Sequence, residues 1–413
     1  MAQGFDPAAA TAAYLAALPP ALHEKAKAYT QGGHWLILWG SIVAVLVAWI
    51  VLRSGLLVRT REGVERKKPR PWLAVFAVVI LDGVLELILS LPWDAYAHWW
   101  REKTYGLTSR GFTGWLSEHL LSSLIGIILT SLLVAGLYFL IRRARATWWI
   151  WGGALVFLGY LALNLISPMV IEPLFNSYKP APPGAVRDEV VAMAKRVGVP
   201  YDKILIYDGS KQSNRYTANV AGVGATARVA MSDVMFKKDA DLAEVRGVVG
   251  HEMGHYVHRH IFWLAAAFGV IAAIAFFIVD RAFPLVLRLS GAKGVNGLAD
   301  PAGFPVIGII LAVLGLIGTP LVNSVTRISE ADADHFSLEH FNEPDGLAKA
   351  LVKTIEYRYD SPSRLEEVLF YDHPSVARRV RACMDWKATH PSSSPTAAAM
   401  AAGPPPLRGG ARR

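Results

Sequence analysis

The chain has 413 residues, 53% of them hydrophobic and only 18% charged, with a mean hydropathy of +0.33 and a net charge of +9. So apolar a composition, gathered into long runs, excludes a soluble protein with one or two ordinary cores and points to a multi-pass membrane protein. The positive charge flanks those runs rather than gathering in a folded basic domain, which excludes nucleic-acid binding, and Cys383 as sole cysteine excludes an intrachain disulfide.

In chain order, residues 1–34 are Ala-rich and predict a short amphipathic helix. Four apolar runs follow at 35–52, 72–91, 120–141 and 147–171, each long enough to cross a bilayer. The first starts too late, and lacks the basic leader and small-residue cleavage site, to be a signal peptide. Trp35, Trp93, Trp99, Trp100, Trp148 and Trp149 sit at run ends, where an interfacial aromatic belt belongs. A first polar stretch, 172–250, predicts a helix over 188–197 stopped by Gly198-Val199-Pro200, and strands at 203–207, 215–222 and 227–231. Asp239 or Asp241 is placed to cap a helix that runs through His251 and His255 into a fifth span, 261–279. A sixth span covers 304–325. A second polar stretch, 326–390, reads as mostly helical, and 391–413 as a disordered tail. No internal repeat is visible, and 172–390 is expected to fold as one module interrupted by two spans.

Charge is distributed unevenly between the two ends of these spans. The loop 53–70 holds seven basic residues, Arg142, Arg143 and Arg145 follow the third span, and Arg281, Arg288 and Lys293 follow the fifth. The opposite loop, 93–118, carries three basic and three acidic residues. The positive-inside rule puts the basic loops in the cytoplasm and His251 on the outer side.

The chemistry is declared by His251-Glu252-Met253-Gly254-His255. Positions i and i+4 share a helix face, so His251 and His255 can present two imidazoles to one metal ion while Glu252 reaches a water beside it. Two neutral nitrogens and a carboxylate base suit zinc, the metal that makes a nucleophile of water near neutral pH. A third protein ligand is needed, with His258, His260, Glu330, Asp332, Asp334, His335 and His373 as candidates. Glu330 and Asp334 are again i and i+4, just past the sixth span: one carboxylate can bind the metal while the other accepts the remaining N–H of a ligand histidine. The alternative is a solvated acidic helix start. Asp82 and Glu86, within the second span, should face a cavity or a partner rather than lipid.

With Leu91-Pro92-Trp93, Pro173-Leu174-Phe175, Asp208-Gly209-Ser210, the His-Glu-x-x-His element, Glu330-x-x-x-Asp334 and His373-Pro374 in this order, the chain resembles the type I CAAX prenyl proteases from about residue 23 to 386. The resemblance implies a mainly α multi-pass fold, a transmembrane helical barrel around a chamber joined to a gluzincin-type protease module with a small β-sheet. It implies one Zn2+ per chain held by His251, His255 and Glu330, Glu252 as general base, and Asp334 behind a ligand. It makes His373 and Arg379 a pair stabilising bound substrate or its oxyanion. It likens the segment with Tyr216, Ala218, Asn219 and Gly222 to an edge strand that pairs with substrate backbone, a recognition mode indifferent to most side chains. Here the order is Ala218-Asn219 where that family has Asn-Ala, so the register is open.

Three features depart from that family: six spans where its eukaryotic members have seven, the carboxylates Asp82 and Glu86 inside the second span, and basic loops that oppose its cytosolic catalytic domain, which leaves the membrane side of the module open. The expected function is CAAX-type C-terminal processing of lipidated or membrane-delivered peptides by a zinc metalloendopeptidase. The alternatives are a quality-control protease for misfolded membrane proteins and a transporter or channel with a structural zinc site. The expected partners are a peptide or lipidated peptide and the lipid bilayer, with no obligate protein partner. The Ala-rich composition suggests a bacterial inner membrane.

Overall fold

In a computed structural model that describes residues 5–212, 217–222, 226–237 and 240–390, the chain is mostly helical. The expected tail, 391–413, lies outside the described residues. The N-terminal segment forms two helices rather than one. Asp6 caps α1 (Pro7–Ala16) by accepting from the N–H groups of Ala8 and Ala9. Pro20 then opens α2 (Pro20–Ser54), which continues without a break through the first span because no helix-stopping residue intervenes. Gly55, in the left-handed region at φ 69°, turns α2 into α3 (Leu56–Glu65). Next come α4 (Pro71–Ala95), extended by a π turn at Tyr96–Trp100 into α5 (Arg101–Thr104), then α6 (Phe112–Arg143) and α7 (Trp148–Ile166).

The polar stretch adds β1 (Tyr178–Pro180), α8 (Ala185–Val197), β2 (Ile204–Tyr207), β3 (Ala218–Ala221) and β4 (Arg228–Ser232). As predicted, α8 stops at Gly198, at φ 73°. The sheet order is β1-β2-β4-β3, antiparallel except for the β2–β4 pair. Strand β1, three residues with no alternating pattern, was not legible in the sequence. Asp241 caps α9 (Leu242–Val257) by accepting from Ala243 N–H at 2.9 Å; Asp239 lies outside the described residues. One expectation is corrected here: α9 does not run into the fifth span. It ends before His258-Arg259, Arg259 adopts φ 54°, and a new helix, α10 (His260–Ser290), begins. The described residues finish with α11 (Phe304–Phe341), α12 (Pro344–Lys353), α13 (Arg364–Phe370) and α14 (Val376–Thr389).

Among the described residues six helical segments are long and apolar enough to cross a membrane, and they coincide with the six predicted runs. Their outer surfaces keep large apolar side chains exposed, such as Leu124, Leu132, Ile274 and Ile317, as lipid contact requires. Between them Trp148, Tyr138, Phe276 and Phe283 form a packed core, where Trp148 Nε1 donates to Asp280, just past the fifth span, at 2.8 Å. A second core joins α8, the sheet, α9 and Phe336 of α11; a third joins the start of α2 with α12 and α14.

Helix α2 shows which end is which. Near its start Thr30 accepts from Tyr359 N–H at 2.8 Å, beside the module; near its end Arg53 donates to Gly291 O at 2.8 Å. Those residues are about 35 Å apart along a straight helix. Arg61 pairs with Asp300 and Arg142 donates to Ala299 O at that same far end. The basic loops thus cluster at the end of the bundle opposite the module.

Candidate metal centre

Helix α9 carries three glycines, 247, 250 and 254, on the side that meets its neighbours. A Cβ at Gly254 would lie 3.1 Å from Ala333 Cα of α11, so the missing side chain lets the two backbones nearly touch. That approach brings Glu330 of α11 over the two α9 imidazoles. His251 Nε2 and His255 Nε2 are 3.2 Å apart, His251 Nε2 is 3.1 Å from Glu330 Oε2, and His255 Nε2 is 3.5 Å from Glu330 Oε1. Tetrahedral coordination at metal–ligand bonds near 2.0–2.1 Å requires donor separations of about 3.3 Å, so the three donors fit one ion. Glu330 Oε2 is buried, makes no aligned hydrogen bond, and has only two imidazole nitrogens, each at 3.1 Å, facing it. An orphaned buried carboxylate oxygen facing two imidazoles is what a cation would satisfy.

Behind these donors each imidazole has a support. His251 Nδ1 lies 2.9 Å from Asp334 Oδ1, and Asp334 is gripped by Arg379 through two bonds of 2.6 Å, all three side chains being buried. Such a partner fixes which ring nitrogen faces the metal. Arg379, expected from the resemblance to act on substrate with His373, therefore has its guanidinium committed to Asp334. His255 Nδ1 lies 2.8 Å from His260 Nδ1, whose Nε2 reaches Asp332 Oδ2 at 2.9 Å. The sequence did not reveal this second support, because His255 and His260 are five apart and meet only through the break at Arg259. His373 Nε2 stands 3.1 Å from Glu330 Oε2, with Nδ1 anchored on Asp372 at 2.8 Å. His335 points elsewhere, to Glu339 at 3.7 Å.

Protonation follows this geometry. Burial opposes a charge on His251, but the Asp334 and Glu330 carboxylates outweigh it and carry the metal-free imidazole up to about 10. Burial pushes the Glu252 carboxyl up, against the pull of His251 and His255. A ligand imidazole must be neutral, so below pH 10 or so binding expels the His251 proton, and affinity should rise with pH by up to about tenfold per unit. Chelator competition at about pH 6, 7 and 8 measures this; an affinity flat across that range would contradict it. For the metal-free chain the sign is opposite: the stability from protonated His251 is complete below its ordinary value near 6.5 and is lost as pH rises through about 10.

The expected substrate strand is β3, at an edge of the described sheet; Tyr216 lies outside the described residues. Ser232 N–H donates to Thr217 O at 2.8 Å, and Ala218 pairs with Met231. In an antiparallel ladder this alternation turns the backbone groups of Asn219 and Ala221 toward β4, and those of Ala218 and Val220 away from it. The Ala218 side chain is buried in the module core, while Asn219 Oδ1 is buried without a hydrogen-bond partner. Gly222 sits at φ 91°, where a Cβ would lie 2.4 Å from Thr226 O. Asp82 and Glu86 line a cavity of about 270 Å3 with Ser90, Asp94 and His119, as intramembrane carboxylates were expected to do. Their spacing of four puts Asp82, Glu86, Ser90 and Asp94 on one stripe of α4, facing α6.

Comparison with known proteins bears on the fold and the class of activity. The family model described as Peptidase family M48 matches residues 180–394, and that described as CAAX prenyl protease N-terminal, five membrane helices, matches 8–177, where this chain has four candidate spans. The uncharacterized metalloprotease YhfN of Bacillus subtilis (strain 168) is 25% identical over 86% of this chain and 84% of its own length. The CAAX prenyl protease 1 homolog of Arabidopsis thaliana is 25% identical over 87% and 86%, and CAAX prenyl protease 1 of Saccharomyces cerevisiae 24% identical over 72% and 69%. The crystal structure of S. mikatae Ste24p superposes with a TM-score of 0.71 at 20% identity, covering 89% of this chain and 91% of that one. A metalloprotease of this kind implies a bound metal ion, and His251, His255 and Glu330 have the donor set and spacing to hold one. A matched peptidase segment on a six-span helical membrane fold, with a metal-ready cluster at its heart, makes the chain a membrane metalloprotease belonging to peptidase family M48.

Proposed function

We propose that the chain is a zinc endopeptidase that cuts extended peptide segments presented at the membrane surface, with CAAX-type C-terminal processing of lipidated peptides as its reaction. The observation that carries this reading is the close approach of the two imidazoles, 3.2 Å apart, to the Glu330 carboxylate, which offers Oε2 to His251 at 3.1 Å and Oε1 to His255 at 3.5 Å, with Glu252 next in sequence to His251. Zinc bound there would supply the Lewis acidity that activates water and polarises the scissile carbonyl. Glu252, its carboxyl raised by burial, takes a proton from the attacking water and returns it to the leaving amine. Asp334 and Arg379 hold His251 in register, so Arg379 acts as a positioning residue. His373, fixed by Asp372 with Nε2 turned to the donor cluster, is the side chain set to meet the developing oxyanion.

Substrate enters as an added strand on β3, met by the outward backbone groups of Ala218 and Val220, with Asn219 Oδ1 as a further acceptor. Gly222→Ala tests that docking. The substitution should strain the turn after β3 by about 1–3 kcal/mol and raise KM while leaving zinc content intact. An unchanged KM would argue against substrate pairing there. Residues 35–171 form the four-span region after an N-terminal segment, 1–34, and 172–390 act as one catalytic unit. That division is supported by the core that α8, the sheet, α9 and Phe336 share. The Ala-rich composition and a bacterial relative support a bacterial cell membrane.

The test is internal cleavage of a prenylated C-terminal peptide by purified protein in detergent. Cleavage that depends on zinc and Glu252 supports the proposal. Inactivity on that peptide, with unfolded casein degraded instead, would move the assignment to quality control. The conduit alternative draws no support from a peptidase family match.

A further inference from the structure

We infer a second divalent-cation site beside the first, built by His258, His260 and Asp332. One donor atom from each lies within 4.8 Å of the others: His260 Nε2 is 2.9 Å from Asp332 Oδ2, and His258 Nδ1 bonds the same oxygen. On a continuous helix, residues two apart point about 200° from one another and could not share a partner. The break between α9 and α10 makes the sharing possible. Arg259 takes the left-handed conformation at φ 54°, a strained choice for an arginine, and so turns both flanking imidazoles onto Asp332 of α11. His260 is buried, whereas His258 and Asp332 are exposed, so the cluster has a fixed base and an open mouth through which an ion can enter with its remaining waters. Two imidazoles and one carboxylate select zinc or a similar transition metal over calcium or magnesium, which prefer oxygen donors.

The two sites share a hydrogen bond, and its donor count sets them against each other. When His255 offers Nε2 to the first ion, its Nδ1 keeps the N–H and donates to His260 Nδ1, 2.8 Å away. The His260 proton then sits on Nε2 and is donated to Asp332. An ion on His260 Nε2 needs that lone pair, which moves the proton to Nδ1 and leaves two N–H groups facing each other. Filling the second site therefore weakens the support of His255, and excess zinc should inhibit. This coupling rests on His255 as a ligand of the first ion; the second site does not.

The experiment counts zinc bound to the full chain in detergent, after stripping and reloading with zinc alone, by elemental analysis and chelator competition. Wild type should bind two ions per chain, the second more weakly. His258→Ala removes an exposed ligand, which shares Asp332 Oδ2, but leaves the His255–His260 and His260–Asp332 contacts in place, and should bind one, with affinity at the second site lowered at least about 10- to 100-fold. A His251→Ala/Glu330→Gln variant should also retain one, at the second site. Peptide cleavage at excess zinc, relative to that at one equivalent, should fall in wild type and hold in His258→Ala. A single ion in wild type, or a second ion that survives His258→Ala, overturns the site. Two ions without inhibition overturn the coupling. Two ions in His251→Ala/Glu330→Gln would instead overturn the reading of the first centre.

Discussion

Glu252→Gln is expected to lower kcat by about 10²–10⁴-fold while leaving one zinc in the first site. Glutamine has the shape of glutamate but cannot accept a proton from water. Glu252 follows His251 by one residue, about 100° around α9, so it stands beside the donor triangle rather than in it. Its carboxyl is pushed up from the ordinary range by burial, against the pull of His251 and His255. Turnover of a quenched peptide, together with zinc content, separates the outcomes. Lost zinc would make Glu252 a ligand, and retained turnover would remove it as the base.

Asp334→Ala should have the largest effect on stability. Asp334 is buried between His251 and Arg379, and its loss leaves a buried guanidinium without its hydrogen-bonded counter-charge. Breaking one side of such a pair costs about 3–5 kcal/mol. Loss of the bond to His251 should weaken zinc binding by roughly 10- to 100-fold as well. The double variant Asp334→Leu/Arg379→Met divides the two effects. Replacing both charges with apolar groups should restore most of the stability but not the zinc affinity. Thermal melts and chelator competition measure each. A double variant that regains full zinc affinity would show that Asp334 has no role in orienting His251.

Much of this was readable along the chain because its causes are local. The six spans follow from run length and hydropathy, and α8 from its periodicity and Gly198. Pairing at i and i+4 put His251 with His255 and Glu330 with Asp334. Strand β1 was too short to carry a pattern, and α2 reached further toward the N-terminus than its apolar run because polar residues tolerate a helix outside lipid.

What the amino-acid order determined by itself was the membrane class, the peptidase element and the carboxylate pair, each a matter of spacing within one helix. What tertiary structure alone decided was which partners meet. Arg379 came to grip Asp334, and His260 came to rest on His255, because helices α9, α11 and α14 close on one another and the backbone breaks at Arg259. Contacts between residues tens of positions apart depend on how packed helices exclude water and satisfy buried charge, and a linear pattern does not encode that choice.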